Sequence, residues 1–578
     1  MSANQLPDAE KQALRAAREQ GGLTKALTYL KFSGPGWLQG AITLGGGSLT
    51  GALYLGVLAG YQLLWVQLLA MGMGVIMLSA IAYVTLSTGK RPFQAIKDHI
   101  NPVLAWSWAI ATLMANIVWC LPQFSLGVAA VRQNLLPGLL GAEAGISDTS
   151  GKLIVSIALL VIATVIIWFY DSGGRGIKIF EALLKGMVAV VVISFFGVVA
   201  VMTFQGGLNW GEVLSGFIPN LGYFNHPAPS FDGVLAATGP FQDYWSKLIV
   251  ADQRDVMITA AATAVGINMT FLLPYSMLAR GWGKEFRGLA TFDLSTGLLI
   301  PYLLATSCVV IAAASQFHAQ PATGFLGERT EQGELIQPAG NLVGGFNGLL
   351  DARLAHERGA AYSALSPEEK AAARAALPES DRRVAAMLVK RDAFNLADSL
   401  SRLTGRTWSH IVFGIGVLGM ALSTIIILML ISGFTVCEML GIPPTGNPRR
   451  FACLISGVGI LGPFIWTGKS QFWLAVPTSV FGFMLLPIAF WTFFGMMNSK
   501  KLMGEDLPKG GKRIVWNTLM LVALTYATIG AAWNIWSRTQ LMFGVQIRWI
   551  AIGVVAFIVI SALIVHIRRR GRELGQGG

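Results

Sequence analysis

Apolar runs of about twenty residues recur along nearly the whole chain, and they leave few folds open. A run of that length crosses a bilayer core as one helix, whose backbone must satisfy its hydrogen bonds internally. Twelve such runs fall at approximately 33–59, 62–88, 103–131, 152–170, 178–203, 256–280, 288–315, 409–440, 450–467, 470–496, 514–536 and 546–567. Only 13% of the 578 residues are charged, which excludes a set of ordinary soluble domains. The fold class read from this pattern is an all-α polytopic membrane protein with the lipid bilayer as its first partner.

Loop charges then set an expected orientation. Loops sharing a face with both termini hold Lys90, Arg91 and Lys97; Arg175 and Lys178; Arg280, Lys284 and Arg287; Arg449 and Arg450; and Lys500, Lys501, Lys509, Lys512 and Arg513. The tail adds Arg568, Arg569, Arg570 and Arg572, whereas the opposite loops carry isolated cations such as Arg132, Arg538 and Arg548. Basic residues near span ends stay in the cytoplasm, so a multi-pass protein of the cell membrane with both termini inside is expected. The formal charge of +13 is mostly this topology signal and implies no nucleic-acid partner.

The division expected along the chain is a cytoplasmic amphipathic segment at 1–32, spans one to five at 33–203, and an outer loop at 204–255. Spans six to ten follow at 256–496 with an outer insertion at 316–408, then spans eleven and twelve at 497–567 and a tail at 568–578. Within the insertion, Ser366-Pro367-Glu368-Glu369 has the form of a capping box with proline at the first helical position, which predicts a helix there.

Little in the chain points to catalysis. The six histidines are scattered, the four cysteines lie in apolar runs without metal-ligand spacing, and no phosphate-binding loop occurs. No catalytic residue and no cofactor is expected, so the chain is read as no enzyme.

The informative irregularities are two interruptions. Gly45-Gly46-Gly47-Ser48 sits at mid-depth in span one, and each glycine there lowers helix propensity by about 1 kcal/mol relative to alanine. Asn268, Thr270 and Pro274 interrupt span six. Unpaired backbone survives at such depth only beside a cavity or inside protein. Breaks five spans apart are what inverted repeats around a midplane site produce. Gly45, Gly46, Gly47, Ser48, Thr50, Asn268, Met269 and Thr270 are the candidate substrate-binding residues.

Longer stretches carry a family resemblance. GPGW opens span one, GYQLLWVQLLAMGMGVIMLSAIAYVTLSTGK with Asp98-His99 covers span two and its following loop, RGIKIFEALLKGMVAVVVISF covers span five, LNWGEVLSGFIPNL follows it, and NSKKLMGE ends span ten. Together they resemble the Nramp metal-ion transporters. The resemblance implies a LeuT-like fold of two inverted five-helix repeats plus two C-terminal helices, with helices one and six discontinuous. It also implies secondary transport coupled to protons.

The chain departs from that family at its site. The family's DPGN, whose Asp and Asn bind the metal, aligns with Gly45-Gly46-Gly47-Ser48, and its MPH falls on Asn268-Met269-Thr270 or one residue away, which would put Met269 in the ligand position. The family's acidic pair of span three aligns near Pro122 and Ser125, and its span-ten glutamine aligns with Leu485. No Asp or Glu remains in the middle of any span. A dication at the midplane needs donors to replace its water, whereas a glycine-rich break offers N–H groups at a positive helix end. The leading expectation is therefore a secondary transporter for an anionic or neutral polar solute, with no metal expected. The alternatives are a divalent metal-ion transporter using Ser48, Asn268 and Met269, and a non-transporting membrane sensor. The identity of the coupling ion, a proton among the candidates, is not fixed by these residues.

Overall fold

The computed structural model describes residues 6–20, 22–141, 144–170, 174–391, 395–398, 405–465, 471–542 and 544–575. Ten helical stretches among them are long and apolar enough to cross a membrane: Leu64–Thr88, Pro102–Leu135, Asp148–Phe169, Ile179–Phe204, Gly239–Ala279, Lys284–Phe317, His410–Leu440, Ala475–Asn498, Gly510–Trp536 and Ile547–Arg569. A bent pair, Pro35–Thr43 and Gly46–Ala59, supplies span one, its two halves meeting at 52°.

Span nine departs from a regular helix. Residues Gly446–Cys453 are α-helical, but Leu454–Leu461 winds as a tighter 3-10 helix. Its glycines press on span three: a Cβ at Gly459 would lie 2.7 Å from Cys120 Cβ, and one at Gly462 would lie 2.0 Å from the Leu121 carbonyl oxygen. Close approach of this kind is what small residues permit between membrane helices.

Span six begins earlier than its apolar run. The helix starts at Gln242, because Gln253 is satisfied by the segment before it: its Oε1 accepts from Ala228 N–H at 3.1 Å, and its Nε2 donates to the Tyr223 and His226 carbonyls at 2.9 Å. Polar residues thus extend the helix without needing apolar surroundings.

Arg15 pairs with Glu285, and Arg569 donates to the carbonyls of Lys97 and Asp98. Both terminal segments therefore share one face, here called the terminal face. On it, the GPG of span one is fixed by Asp293, whose Oδ2 accepts from Gly34 and Gly36 N–H at 3.1 and 2.7 Å. Added Cβ atoms at Gly36 and Gly40 would each lie 2.2 Å from a carbonyl oxygen, of Asp293 and Gly297 respectively. The first half of span one thus packs backbone to backbone on span seven, where Ser295–Leu299 relaxes into a π-helical turn.

The opposite face carries the insertion. Helix Gly340–Arg358 buries Leu342, Phe346, Leu350 and Leu354 at i,i+4 spacing, which explains why a glycine-rich stretch is helical. Ser366 and Glu369 form the capping box of Pro367–Ala375. Helix Glu379–Leu388 buries its last five residues, Val384–Leu388, and beyond it the Lys390 ammonium pairs with Asp252 and lies 4.0 Å over the Trp473 ring.

Candidate functional site

Four half-helices end against one another in the middle of the protein. Span one breaks at Leu44 (φ −77°, ψ 51°) and Gly45 (φ −101°, ψ −178°). Span six breaks at Val265 (φ −143°, ψ 111°) and Gly266 (φ −90°, ψ 165°). The second break lies just before the interval expected from Asn268 and Thr270, since both fall in the first turn of Ile267–Ala279. Extended φ and ψ at Gly45 do not themselves demand glycine. Space does: a Cβ there would lie 2.3 Å from Thr424 Oγ1.

Around the breaks lies a cavity of about 40 Å³, walled by spans one, three, six, eight and ten. That is room for about three water-sized centres, hence for an ion with little of its water rather than for an organic solute. Its lining includes Thr43, Gly45, Gly47 and Ser48; Trp119 and Gln123; Thr263, Gly266, Asn268 and Met269; and Thr424, Thr478 and Ser479. No charged residue is among the lining residues.

The two breaks present opposite helix ends to this space. Pro35–Thr43 and the helix ending at Ala264 bring their C-terminal carbonyls. Ser48 Oγ donates to the Thr43 carbonyl and, at 3.5 Å, to that of Thr263; Thr43 Oγ1 donates to the Ala264 carbonyl at 3.3 Å. Gly46–Ala59 and Ile267–Ala279 bring their N-terminal N–H groups, and acceptors already sit on three N–H groups at these ends. Gly46 N–H donates to Gln123 Oε1 at 2.9 Å, Gly266 N–H to Met269 Sδ at 3.4 Å, and Met269 N–H to Asn268 Oδ1 at 2.8 Å. The positive helix ends are thus partly capped from within, and hydroxyl donors hold the carbonyl ends.

Of the residues picked from sequence, Gly45, Gly47, Ser48, Asn268 and Met269 line the cavity. Gly46 stands behind it, with its added Cβ only 1.7 Å from Leu126 Cδ1. Thr50 and Thr270 are buried but are not among the lining residues. Thr270 is turned toward span three, where its Oγ1 accepts from Trp108 Nε1–H at 2.9 Å. Leu485 also lies off the cavity, and span ten contributes Thr478 and Ser479 instead.

Sequence reading missed Thr43, Trp119, Gln123, Thr263 and Thr424. Gln123 had a signal, being the one amide beside Pro122 in an apolar run. Trp119 had one only in three dimensions: Gly266 and Gly482 leave the space its indole fills, with added Cβ atoms 2.3 and 2.2 Å from that ring.

Comparison with known proteins places this geometry. The model of the family "Natural resistance-associated macrophage protein-like" (Nramp) matches residues 36–342 and 372–537, leaving out the core of the insertion. Similar curated proteins include the metal transporter Nramp2 of Populus trichocarpa, 28% identical over 193 residues, which are 33% of this chain and 32% of that protein. The manganese transporter pdt1 of Schizosaccharomyces pombe is 27% identical over 36% of this chain and 38% of its own length. The divalent metal cation transporter MntH 1 of Pseudomonas aeruginosa is 25% identical over 54% and 62%. The match thus spans about a third of the length of the first two. Among solved structures, a variant of the manganese transporter of Eremococcus coleocola superposes with a TM-score of 0.60 at 13% identity, covering 95% of this chain and 97% of that one. With its broken helix one, its all-helical LeuT-like fold and a family match over most of its length, this chain belongs to the Nramp family of membrane transporters and is not an enzyme.

Proposed function

We propose that the chain carries a divalent metal ion across the membrane by alternating access, through a site built from neutral ligands. The observation that carries this reading is the partnering of the breaks: the N–H groups of Gly46, Gly266 and Met269, three of those an anion would use, already donate to Gln123, Met269 and Asn268 side chains. What is left facing the cavity is carbonyl oxygen, hydroxyl oxygen and the Met269 thioether. Two C-terminal helix ends give this space a negative bias of about half a charge each, and a thioether with amide oxygens suits a transition-metal dication. The anionic or polar solute expected from the bare glycine triplet loses the Gly46 N–H to Gln123 and keeps only those of its neighbours. The names of the similar proteins, metal and manganese transporters, point the same way.

With no carboxylate in the lining, the ion's charge is balanced by dipoles alone, so binding is weak and part of the hydration shell is retained. The cell membrane, with the basic terminal face in the cytoplasm, is the setting that the loop charges support. Proteoliposome uptake of Mn²⁺, set against small inorganic and organic anions, tests the reading. Saturable Mn²⁺ uptake above empty vesicles is expected. Anion uptake without Mn²⁺ uptake would overturn it in favour of the polar-solute reading, which the absence of carboxylates favours.

A further inference from the structure

Buried polar atoms without partners are costly, and native proteins hold few of them. Six of those in this protein lie on helices that line the central cavity, on its terminal side. Both amide atoms of Gln39, Thr112 Oγ1, Asn116 Oδ1, the Tyr275 hydroxyl and Glu438 Oε2 are buried without a hydrogen-bond partner. Gln39, Thr112 and Asn116 are wholly buried, Tyr275 is 4% exposed and Glu438 2%.

Helical spacing ties these residues to the cavity. Gln39 lies one turn from Thr43 toward the terminal face. Asn116 and Thr112 continue the face of Gln123 and Trp119 in steps of three and four residues. Tyr275 lies seven residues, two turns, beyond Asn268. On span eight the face of Thr424 and Leu428 continues to Ser432, which accepts from Asn116 Nδ2–H at 3.2 Å, and ends at Glu438. Four helices that line the site therefore send polar, unsatisfied faces in one direction, and they converge on a carboxylate. There the Tyr275 hydroxyl lies against Glu438. Glu438 Oε1 accepts from Arg91 at 2.9 Å, and that arginine, 51% exposed, is free to swing into water.

We propose that this file is the closed route between the central site and the terminal face, and that Glu438 is a transient cation site at its end, with Arg91 occupying it when no ion passes. The assignment of a divalent cation as ligand rests on the metal-ion reading above. When the file opens and fills with water, the unpaired atoms gain the partners they lack, and the ion exchanges with the guanidinium at Glu438 Oε1 and Oε2.

Two variants of the same pair test this, because a mere structural brace predicts one phenotype for both. In Mn²⁺ uptake by proteoliposomes, Glu438→Gln should lower the maximal rate by about ten-fold with little change in KM. Arg91→Gln, which frees the carboxylate for the ion, should raise that rate. Equal losses in both variants, or wild-type transport by Glu438→Gln, would overturn the proposal. A second measurement does not depend on which substrate is carried. Asn116→Cys in the full-length protein should react with a water-soluble thiol reagent supplied at the terminal face, above the wild-type background of buried cysteines. No added labelling would remove the route itself, whereas labelling with no Mn²⁺ uptake in the wild type would remove only the metal reading.

Discussion

Met269 serves the site in two ways, and the two can be separated by substitution. Its sulfur accepts from Gly266 N–H and Thr43 Oγ1–H at 3.4 and 3.3 Å, which ties the two breaks together, and it is the one soft donor in the cavity lining. Met269→Leu conserves volume, so it should cost less than about 1.5 kcal/mol of stability. It should nevertheless lower Mn²⁺ uptake several-fold while affecting Mg²⁺ or Ca²⁺ uptake little, because only the soft donor is gone. Metal competition assays in proteoliposomes would show this. The neighbouring glycines behave differently. Gly46→Ala drives its new carbon into Leu126, 1.7 Å away, and should destabilise the protein by about 1–3 kcal/mol, read as a lower thermal midpoint in detergent. Bulk at position 46 therefore reports on packing, and position 47, facing Thr263 and Ser479, reports on the cavity. Sequence alone marked these glycines as the place where span one breaks. It could not reveal which way each pointed, nor that Thr270 turns toward Trp108, since those facts depend on the rotation of each half-helix about its own axis.

At the level of elements, breaks in spans one and six were legible because three glycines, and a polar interruption before Pro274, have no place in an ordinary spanning helix. The position of the second break was less legible. Asn268 caps the backbone at Met269 and so belongs inside the helix it was expected to interrupt. The insertion was legible only as partly helical. Its docking depends on distant partners: Lys390 on Asp252 and Trp473, Asp381 accepting from Trp245 Nε1–H at 2.5 Å, and the Tyr54 hydroxyl donating to the Arg391 carbonyl at 2.5 Å. Lys390→Met should loosen this docking, and limited proteolysis of the insertion should speed up by about five-fold, without loss of the helical spectrum.

His318 gives the same face a pH dependence. Its Nδ1 lies 3.0 Å from the Val57 carbonyl and its Nε2 lies 2.6 Å from Ser230 Oγ, so the neutral ring is satisfied at both nitrogens. Burial lowers its pKa below the ordinary value, and the Val57 carbonyl offsets this only in part. A histidine with a depressed folded pKa adds stability that is complete above about 6.5 and lost as pH falls through the folded value. The thermal midpoint should therefore fall between pH 7.5 and 5.5, and His318→Gln should flatten that fall. An equal fall in the variant would assign the effect to other groups.

Across the whole molecule, the Nramp fold surrounds a central cavity with no charged residue in its lining. The broken helices, the GPG contact with Asp293 and the backbone-to-backbone packing of span one on span seven fix where the two breaks meet. In the proposed reading an ion in the cavity between them is balanced by dipoles, two negative helix ends against two partly capped positive ones. That balance makes the sign of the substrate's charge the central claim. Gln123 is the place to test it, because its amide caps the Gly46 N–H and lines the cavity. Gln123→Glu keeps the shape and the acceptor while adding one negative charge within the site. The most direct measurement is Mn²⁺ uptake by wild-type and Gln123→Glu proteoliposomes. The account predicts saturable uptake by both, with the KM for Mn²⁺ lowered about ten-fold in the variant by direct attraction at short range. A variant that binds Mn²⁺ no better, or that instead loses uptake of an anion carried by the wild type, would contradict it.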